Sequence, residues 1–129
     1  MHIEHIGIAV KNLDAAVRKY EALLGVRARF EKLPDMDVAI LEISGSKLEL
    51  LYSGAPSSAI GKFLEKRGEG LHHIAFGTDD VMECLNNASA LGVSLIDKEP
   101  RPGADNKMIA FLHPKDLNGV LLEFCMDKK

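Results

Sequence analysis

The sequence of 129 residues is poor in aromatic side chains and in cysteine, and neither sign of charge dominates it. Aromatic residues make up 5% of the chain and tryptophan is absent, which argues against a site that stacks sugars or bases on aromatic rings. The formal net charge is −3, so no basic surface is available for a nucleic-acid backbone and we expect no nucleic-acid partner. Cys84 and Cys125 form no CxxC pair and are expected to be buried free thiols in a reducing compartment.

Long apolar runs are also missing. No stretch approaches the ~18 residues of a membrane span, and the N-terminus lacks the basic segment and apolar run of a signal peptide. We therefore expect a cytoplasmic protein without membrane contact. Hydrophobic residues make up 47% and charged residues 27%, which is typical of a globular protein, and the length fits a single domain over residues 1–129.

Several short motifs of well-known enzyme classes do not occur. The sequence has no P-loop, GxGxxG, GxSxG or HExxH pattern. Nucleotide hydrolysis, dinucleotide redox chemistry and serine hydrolase chemistry therefore lack support.

What the sequence does contain is an internal repeat. Residues 5–9 align with residues 73–77, and in both copies an apolar helix face with i, i+3, i+4, i+7 spacing follows. Asn12 is a suitable N-cap for the first helix, and Asp79 or Asp80 for the second. Both helices run into Leu-Gly-Val, where glycine fits the left-handed residue just past a helix end. The order of these features indicates an internal duplication.

Each half continues with three strand patterns. They cover residues 26–32, 37–43 and 46–51 in the first half, and 93–97, 108–112 and 119–125 in the second. Each half is therefore βαβββ, and we predict an α+β fold in which two paired modules form a cup-shaped mixed sheet. Module 1 covers about residues 1–55, a linker helix about 56–68, and module 2 about 69–129.

The histidines at the start of each half lie among very small residues. Side chains alternate along a strand, so His5 shares its face with Gly7 and Ala9, and His73 shares its face with equally small neighbours. Such a face lacks the volume of a packed core, and we expect it to form the floor of a cavity while the Ile/Val side packs on the helix. His72 points to the opposite face and is expected to be a core residue or a hydrogen-bonding partner.

Two glutamates also occupy equivalent places in the two halves. Glu49 and Glu123 occupy equivalent places in the last strand of each half, each flanked by apolar residues. A carboxylate on a buried face is costly without a cation or hydrogen bonds. Together with His5 and His73 they form a mixed nitrogen and oxygen donor set, suited to Co²⁺, Mn²⁺, Ni²⁺ or Zn²⁺. The repeat therefore predicts one divalent metal ion held by these four residues, with positions left open for water or substrate.

Four further side chains are weaker candidates for substrate binding. Arg101, Lys107 and Lys115 lie in predicted loops and are suited to phosphate, but an ordinary surface position is equally consistent with them. His113 begins a His-Pro-Lys turn after a strand, where it could contact substrate or only the backbone.

Paired βαβββ modules with a His on each first strand and a Glu on each last strand resemble the vicinal oxygen chelate superfamily. This superfamily includes glyoxalase I, extradiol dioxygenases and fosfomycin-resistance proteins. Within it, the sequence is similar to the methylmalonyl-CoA epimerases over residues 5–10, 62–76, 101–104, 111–115 and 119–123. The likeness spans nearly the whole chain, and the stretch 62–76 is its most discriminating part.

The resemblance implies an isomerase that epimerises (2R)/(2S)-methylmalonyl-CoA by proton transfer at C2, through a metal-stabilised thioester enolate. It implies that His5, Glu49, His73 and Glu123 are the metal ligands, that Co²⁺ is the first choice of metal, and that the substrate is an acyl-CoA. Relatives are commonly dimers, so a homodimer is expected.

The resemblance also bears on the acid and base. In part of the family an acid on the third strand of the first module has the base role, and the matching position here is interpreted as Ala39. Glu49 or Glu123 would then act as ligand and base together, or Asp37 or another group would substitute.

Two alternatives remain open at this point. One is glyoxalase I, acting on a glutathione hemithioacetal, or another metal-dependent lyase or isomerase of the superfamily; the epimerase-like stretches argue against glyoxalase I. The other is a non-catalytic small-molecule-binding module on the same fold, against which the retention of all four ligands argues.

Overall fold

The computed structural model describes residues 1–128, which divide into two compact units. One unit is His5–His72, and the other combines Met1–Glu4 with the chain from His73 onward. The strands are β1 (His2–Ala9), β2 (Arg29–Lys32), β3 (Asp37–Ile43), β4 (Ser46–Tyr52), β5 (Gly70–Gly77), β6 (Arg101–Pro102), β7 (Lys107–Leu112) and β8 (Leu122–Asp127). The helices are α1 (Leu13–Leu24), α2 (Ala59–Arg67), α3 (Val81–Ala90) and a 3₁₀ turn at Pro114–Asp116. The α+β class and the βαβββ order of each half are confirmed.

The strands of the first unit are ordered β2-β3-β4-β1, with α1 on one face. Asn12 caps α1 by accepting a hydrogen bond from the Ala15 amide (3.0 Å), and Gly25 ends it with φ of 69°. The apolar side of α1 packs against the sheet. This core contains Val10, Val17, Ala39, Leu41 and Leu50, with Ile8 and Leu48 packed against it.

Strand pairing in this unit places Glu49 on the face opposite α1. β1 and β4 are parallel with Gly7 beside Glu49, and β3 and β4 form a hairpin with Ile40 beside Glu49. Leu48 and Leu50 belong to the α1 core, so alternation turns Glu49 to the other side. His5 lies on the same side, because Ile8 packs on the helix face.

The second unit repeats this arrangement with the order β5-β8-β7-β6. Asp80 caps α3 by accepting from the Glu83 amide at 3.0 Å, which decides between the two predicted caps. β5 and β8 are parallel with Ala75 beside Glu123. Leu122 and Phe124 pack in the α3 core, so Glu123 faces the opposite side.

The prediction of a strand at residues 93–97 is wrong. Only an isolated bridge between Leu95 and Leu112 forms there, and the second strand of this half is β6. Carboxylate side chains accept hydrogen bonds from main-chain amides that would be paired with another strand in a regular β-ladder. Asp116 Oδ2 accepts from the Ser94 amide at 2.8 Å, and Asp97 Oδ2 accepts from the Phe111 amide at 2.9 Å. The alternation seen in the sequence arises because part of this segment packs on the α3 core without forming a strand.

Two other strands begin later than predicted. β2 begins at Arg29 and not at residue 26, because the amide of Ala28 donates to Glu21 of α1 (2.7 Å) and leaves the sheet. β8 begins at Leu122 and not at residue 119, because Asn118 and Gly119 have φ of 60° and 82° and form a turn.

The segment between the halves forms the predicted short helix. α2 is capped by the side chain of Ser58 and ends at Gly68, whose φ is 74°. No helix within residues 1–128 is long and apolar enough to cross a membrane. Both cysteines are free thiols, but only Cys125 is fully buried; Cys84 is half-buried.

Candidate active site

Few charged or titratable side chains are buried in this protein. Within residues 1–128 the buried polar residues are Glu4, His5, Glu49, His73 and Glu123. Four of these five are the residues that the repeat singles out, divided as one His–Glu pair in each unit. Because charged groups are rarely buried without a specific purpose, these pairs are the first candidates for a functional site.

In the first unit, His5 lies beside Glu49. Nδ1 of His5 is 3.5 Å from Oε2 of Glu49, and the two residues are 4% and 3% exposed. β1 supplies the histidine and β4 the glutamate, and the parallel pairing of these strands brings them together. The pair offers one imidazole nitrogen and one carboxylate group.

The surroundings of this pair differ from the prediction of a face made only of small residues. Val38 and Leu51 are cross-strand partners on the Glu49 side of the sheet, as is Ile40 beside Glu49 itself, and each is at most 1% exposed. The small residues of β1 are therefore complemented by large aliphatic side chains of β3 and β4. The pair consequently lies in apolar surroundings that exclude water.

The interpretation of Ala39 as the site-facing position of β3 is wrong. Ala39 packs in the α1 core with Leu41, on the face opposite Glu49. Asp37 shares that face by alternation and forms an ion pair with Lys32 (3.7 Å), so it is not a substitute base near Glu49. The nearest β3 side chains on the Glu49 face are Val38 and Ile40, and neither can carry a proton.

In the second unit, His73 lies beside Glu123. Nε2 of His73 is 3.4 Å from Oε1 of Glu123, and the residues are 6% and 3% exposed. The ring of Phe111 packs edge-on against the His73 imidazole, with centroids 5.4 Å apart and planes at 86°. Phe111 is also the cross-strand partner of Glu123. One aromatic side chain thus borders both members of the pair.

Phe111 is linked in turn to Arg101, one of the weaker sequence candidates. The guanidinium carbon lies 5.6 Å from the centroid of the Phe111 ring. Nε of Arg101 donates to Oδ1 of Asp97 at 2.9 Å. Sequence reasoning missed Phe111 and Asp97, since nothing in their spacing points to Arg101 or His73.

Lys107 does not lie in a loop, where the sequence analysis placed it as a candidate for binding phosphate. It begins β7, and its Nζ lies 2.6 Å from Asp127 and 3.7 Å from Glu4, with the lysine side chain 15% exposed. Two carboxylates neutralise this ammonium group. Glu4 is the fifth buried polar residue, and sequence reasoning missed it.

The other two substrate candidates lie at the 3₁₀ turn. Nδ1 of His113 accepts from the Lys115 amide at 3.1 Å, so this imidazole is an N-cap. The structure brings neither residue into contact with His73 or Glu123.

His72 is half-buried and packs on α2. Its ring packs edge-on against Phe63 of α2, with centroids 4.9 Å apart. Burial lowers the pKa of His72 from its ordinary value of 6.5 to about 4, because the imidazolium form would lose its hydration.

The depressed pKa of His72 predicts a loss of stability in mild acid. As the pH falls below 6.5 the unfolded chain binds a proton at His72 while the folded chain does not, until the pH reaches about 4. The contribution is fully present above pH 6.5 and is lost between 6.5 and 4, by at most about 3 kcal/mol. Urea unfolding of His72→Leu and the wild type at pH 7 and pH 4.5 measures it. The free energy of unfolding should fall less in the variant, and equal falls would contradict the prediction.

The donor sets of the two pairs fit a divalent metal ion. Each pair supplies imidazole nitrogen and carboxylate oxygen, the ligands that Co²⁺, Mn²⁺, Ni²⁺ and Zn²⁺ accept. Each carboxylate is 3% exposed in apolar surroundings, where a positive counterpart offsets the cost of its burial.

Comparison with known proteins agrees with this geometry. Residues 4–111 match the family model of the glyoxalase/bleomycin resistance protein/dioxygenase superfamily. The ethylmalonyl-CoA/methylmalonyl-CoA epimerase of Cereibacter sphaeroides is 36% identical over 126 residues, which cover 94% of each chain.

Two solved structures are similarly close. A variant of Streptomyces coelicolor methylmalonyl-CoA epimerase in complex with 2-nitronate-propionyl-CoA is 41% identical, with a TM-score of 0.94 over 98% of this chain and 94% of that one. A methylmalonyl-CoA epimerase in complex with methylmalonyl-CoA and NH₄⁺ is also 41% identical, with a TM-score of 0.93 and the same coverage.

Proposed function

The chain belongs to the glyoxalase/bleomycin resistance protein/dioxygenase superfamily, and on this premise we propose that it epimerises (2R)- and (2S)-methylmalonyl-CoA at C2. The observation that carries the proposal is near full-length similarity to epimerases, at 36% identity to the Cereibacter sphaeroides enzyme and a TM-score of 0.94 to the Streptomyces coelicolor one. The protein is accordingly an isomerase.

The reaction requires removal of a proton from C2, next to a thioester, and its return on the other face. The difficult species is the enolate that forms between these two steps. A divalent metal ion bound by His5, Glu49, His73 and Glu123 would supply stabilisation of the developing negative charge. This ligand set is supported by the equivalence of the four residues in the repeat and by the burial of both pairs.

The two glutamates are the proposed proton carriers. Glu49 is the one buried carboxylate of the unit His5–His72, since the other buried residue of that unit with a titratable side chain is His5. Val38 and Ile40 are the neighbours of Glu49 on β3 and neither can carry a proton, so Glu49 is the carboxylate of this unit that would accept one from C2. Glu123 has the equivalent place in the second unit and would serve the other face of C2.

Incorporation of deuterium at C2 tests the proposed function directly. Protein freed of metal and then loaded with Co²⁺ is incubated with methylmalonyl-CoA in D₂O, and exchange at C2 is followed by NMR against a blank without protein. We expect exchange far above the blank, and its loss when a chelator removes the ion. Exchange at the rate of the blank with bound Co²⁺ would contradict the proposal.

Three finer properties belong to the same proposal. Co²⁺ is the metal of first choice, with Mn²⁺, Ni²⁺ and Zn²⁺ as alternatives. We propose a homodimer, for which light scattering at micromolar concentration should give twice the mass of one chain. The two free thiols fit a reducing compartment, and we propose the cytoplasm.

A further inference from the structure

The direction of the His73 ring decides which of its atoms faces Glu123. The torsion that turns a histidine ring is broad and roughly twofold, so this torsion alone does not fix the direction of either nitrogen. In the structure Nε2 of His73 lies 3.4 Å from Oε1 of Glu123, and both residues are buried. The orientation of the imidazole is therefore held by the side chains that pack against it.

Phe111 is an aromatic neighbour of this imidazole. The two ring centroids are 5.4 Å apart and the ring planes stand at 86°, which is the edge-to-face geometry that aromatic rings favour. Phe111 also lies directly opposite Glu123 in the β7–β8 pair, so both residues are on the same face of the sheet. A turn of the imidazole would give up the edge-to-face contact with Phe111.

The Phe111 ring is itself held in place from another side. The guanidinium carbon of Arg101 lies over this ring, 5.6 Å from its centroid. Asp97 Oδ1 accepts from Nε of Arg101 at 2.9 Å, and Asp97 Oδ2 accepts from the Phe111 amide at 2.9 Å. One carboxylate thus fixes both the main chain of Phe111 and the cation that covers its ring.

We propose that Phe111 is a positioning residue that holds the His73 imidazole with Nε2 toward Glu123 and so prepares this pair for a metal ion. The inference rests on the proposed function, because the ligand role of His73 belongs to it. A ligand whose rotamer is locked by packing is already in place when the ion binds. Phe111 has no atom that could coordinate a metal, so it acts only through the histidine.

Replacement of the ring by an aliphatic side chain tests the proposal. CoCl₂ is titrated into metal-free wild type, Phe111→Leu and Phe111→Tyr, and binding is followed by calorimetry and by the visible absorption of Co²⁺. We expect Phe111→Leu to raise the Kd of Co²⁺ about 10- to 100-fold, the range typical of residues that orient a metal ligand. The absorption bands should also change, because they report the ligand geometry. Phe111→Tyr keeps the ring and should bring the Kd to within about threefold of wild type.

Phe63 provides a matched control. It is half-buried like Phe111, and it packs edge-on against His72 with centroids 4.9 Å apart and planes at 80°. His72 is not a proposed ligand, so Phe63→Leu should keep the Kd of Co²⁺ within about twofold of wild type and leave the absorption bands unchanged. A loss equal to that of Phe111→Leu would show a general loosening of the protein and would overturn the proposal.

A second measurement needs no metal. NMR signals of the His73 ring in the metal-free protein, assigned by their absence from His73→Gln, report whether the imidazole holds one orientation. We expect one orientation in the wild type and in Phe111→Tyr, and exchange between two orientations in Phe111→Leu. Circular dichroism checks that each variant is folded, and Phe111→Met replaces the leucine variant if that variant does not fold. A single orientation in the aliphatic variant, or Co²⁺ binding equal to wild type, would overturn the proposal.

The proposed function and this inference can fail separately. A wild type that exchanges no deuterium at C2, with a loss of Co²⁺ affinity in Phe111→Leu that Phe111→Tyr restores, would contradict the epimerase and support the positioning role. A wild type that exchanges deuterium, with unchanged Co²⁺ binding in Phe111→Leu, would support the epimerase and contradict the positioning role. If the wild type bound no Co²⁺, the ligand set would be wrong, and the ring signals of the metal-free protein would decide the role of Phe111.

Discussion

Replacement of His73 by alanine is expected to weaken Co²⁺ binding by more than about 100-fold, beyond the range typical of residues that only support a ligand. Nε2 of His73 lies 3.4 Å from Glu123, and both residues are buried. Alanine removes the only nitrogen donor of this pair and leaves Glu123 in apolar surroundings. Isothermal titration of chelator-treated protein with CoCl₂ measures the loss.

The neighbouring histidine is the matched control for that experiment. His72 precedes His73 in β5, but its ring packs on Phe63 of α2. His72→Leu should therefore keep the affinity for Co²⁺ within about twofold at pH 7, where its imidazole is already neutral. If His73→Ala and wild type bound Co²⁺ equally well, the proposed ligand set would be wrong.

The four residues of the two His–Glu pairs could be predicted from the sequence, because the internal repeat and the alternation of side chains along a strand both single them out. The repeat places His5 over His73, and strand alternation separates Glu49 from the leucines on either side. In the structure those leucines, Leu48 and Leu50, pack on α1, and Glu49 faces the other way. A buried carboxylate between two core positions is a pattern that local sequence shows directly.

The error on β3 concerns the direction of a side chain. Side-chain direction changes with every residue along a strand, so matching Ala39 to the acid of some relatives requires the exact register. The observed register pairs Ile40 with Glu49, which puts Ala39 and Asp37 on the α1 side. Similarity in a short apolar strand does not define the register to one residue, and only the pairing with β4 decides it.

Contacts between distant segments were beyond the reach of sequence periodicity. Asp97, Arg101 and Phe111 meet because the segment after α3 lies against β7 through an isolated bridge, a few main-chain hydrogen bonds and the Asp97 side chain, and not through a regular ladder. Glu4 was missed for a related reason. Alternation predicts that consecutive residues face opposite sides, but Glu4 and His5 are both buried, with Lys107 beside the glutamate.

The two His–Glu pairs are alike in geometry and different in surroundings. Glu49 has the aliphatic side chains of Val38 and Ile40 as its neighbours on β3. Glu123 lies across from Phe111, behind which the guanidinium of Arg101 is stacked. The polar and aromatic surroundings of Glu123 distinguish it from Glu49, which makes this residue the more informative one to replace.

Glu123→Gln is expected to lower the rate of deuterium exchange at C2 of methylmalonyl-CoA by about 100- to 10,000-fold, the range typical of a lost general acid or base. Glutamine keeps the shape of the side chain and an oxygen donor, so Co²⁺ affinity should fall much less than in His73→Ala. The expected result is thus a protein with bound metal that has lost proton transfer. Exchange in D₂O and titration with CoCl₂, performed on the same preparation, measure the two properties separately.

Glu83→Gln serves as the control, because Glu83 is exposed in the first turn of α3 and belongs to neither pair. It should keep exchange within about twofold of wild type, as expected for a surface substitution. Near wild-type exchange in Co²⁺-loaded Glu123→Gln would eliminate Glu123 as a proton carrier. Glu49 would then have to move the proton on its own, because Asp37 faces α1 and Val38 and Ile40 have no group that can accept one.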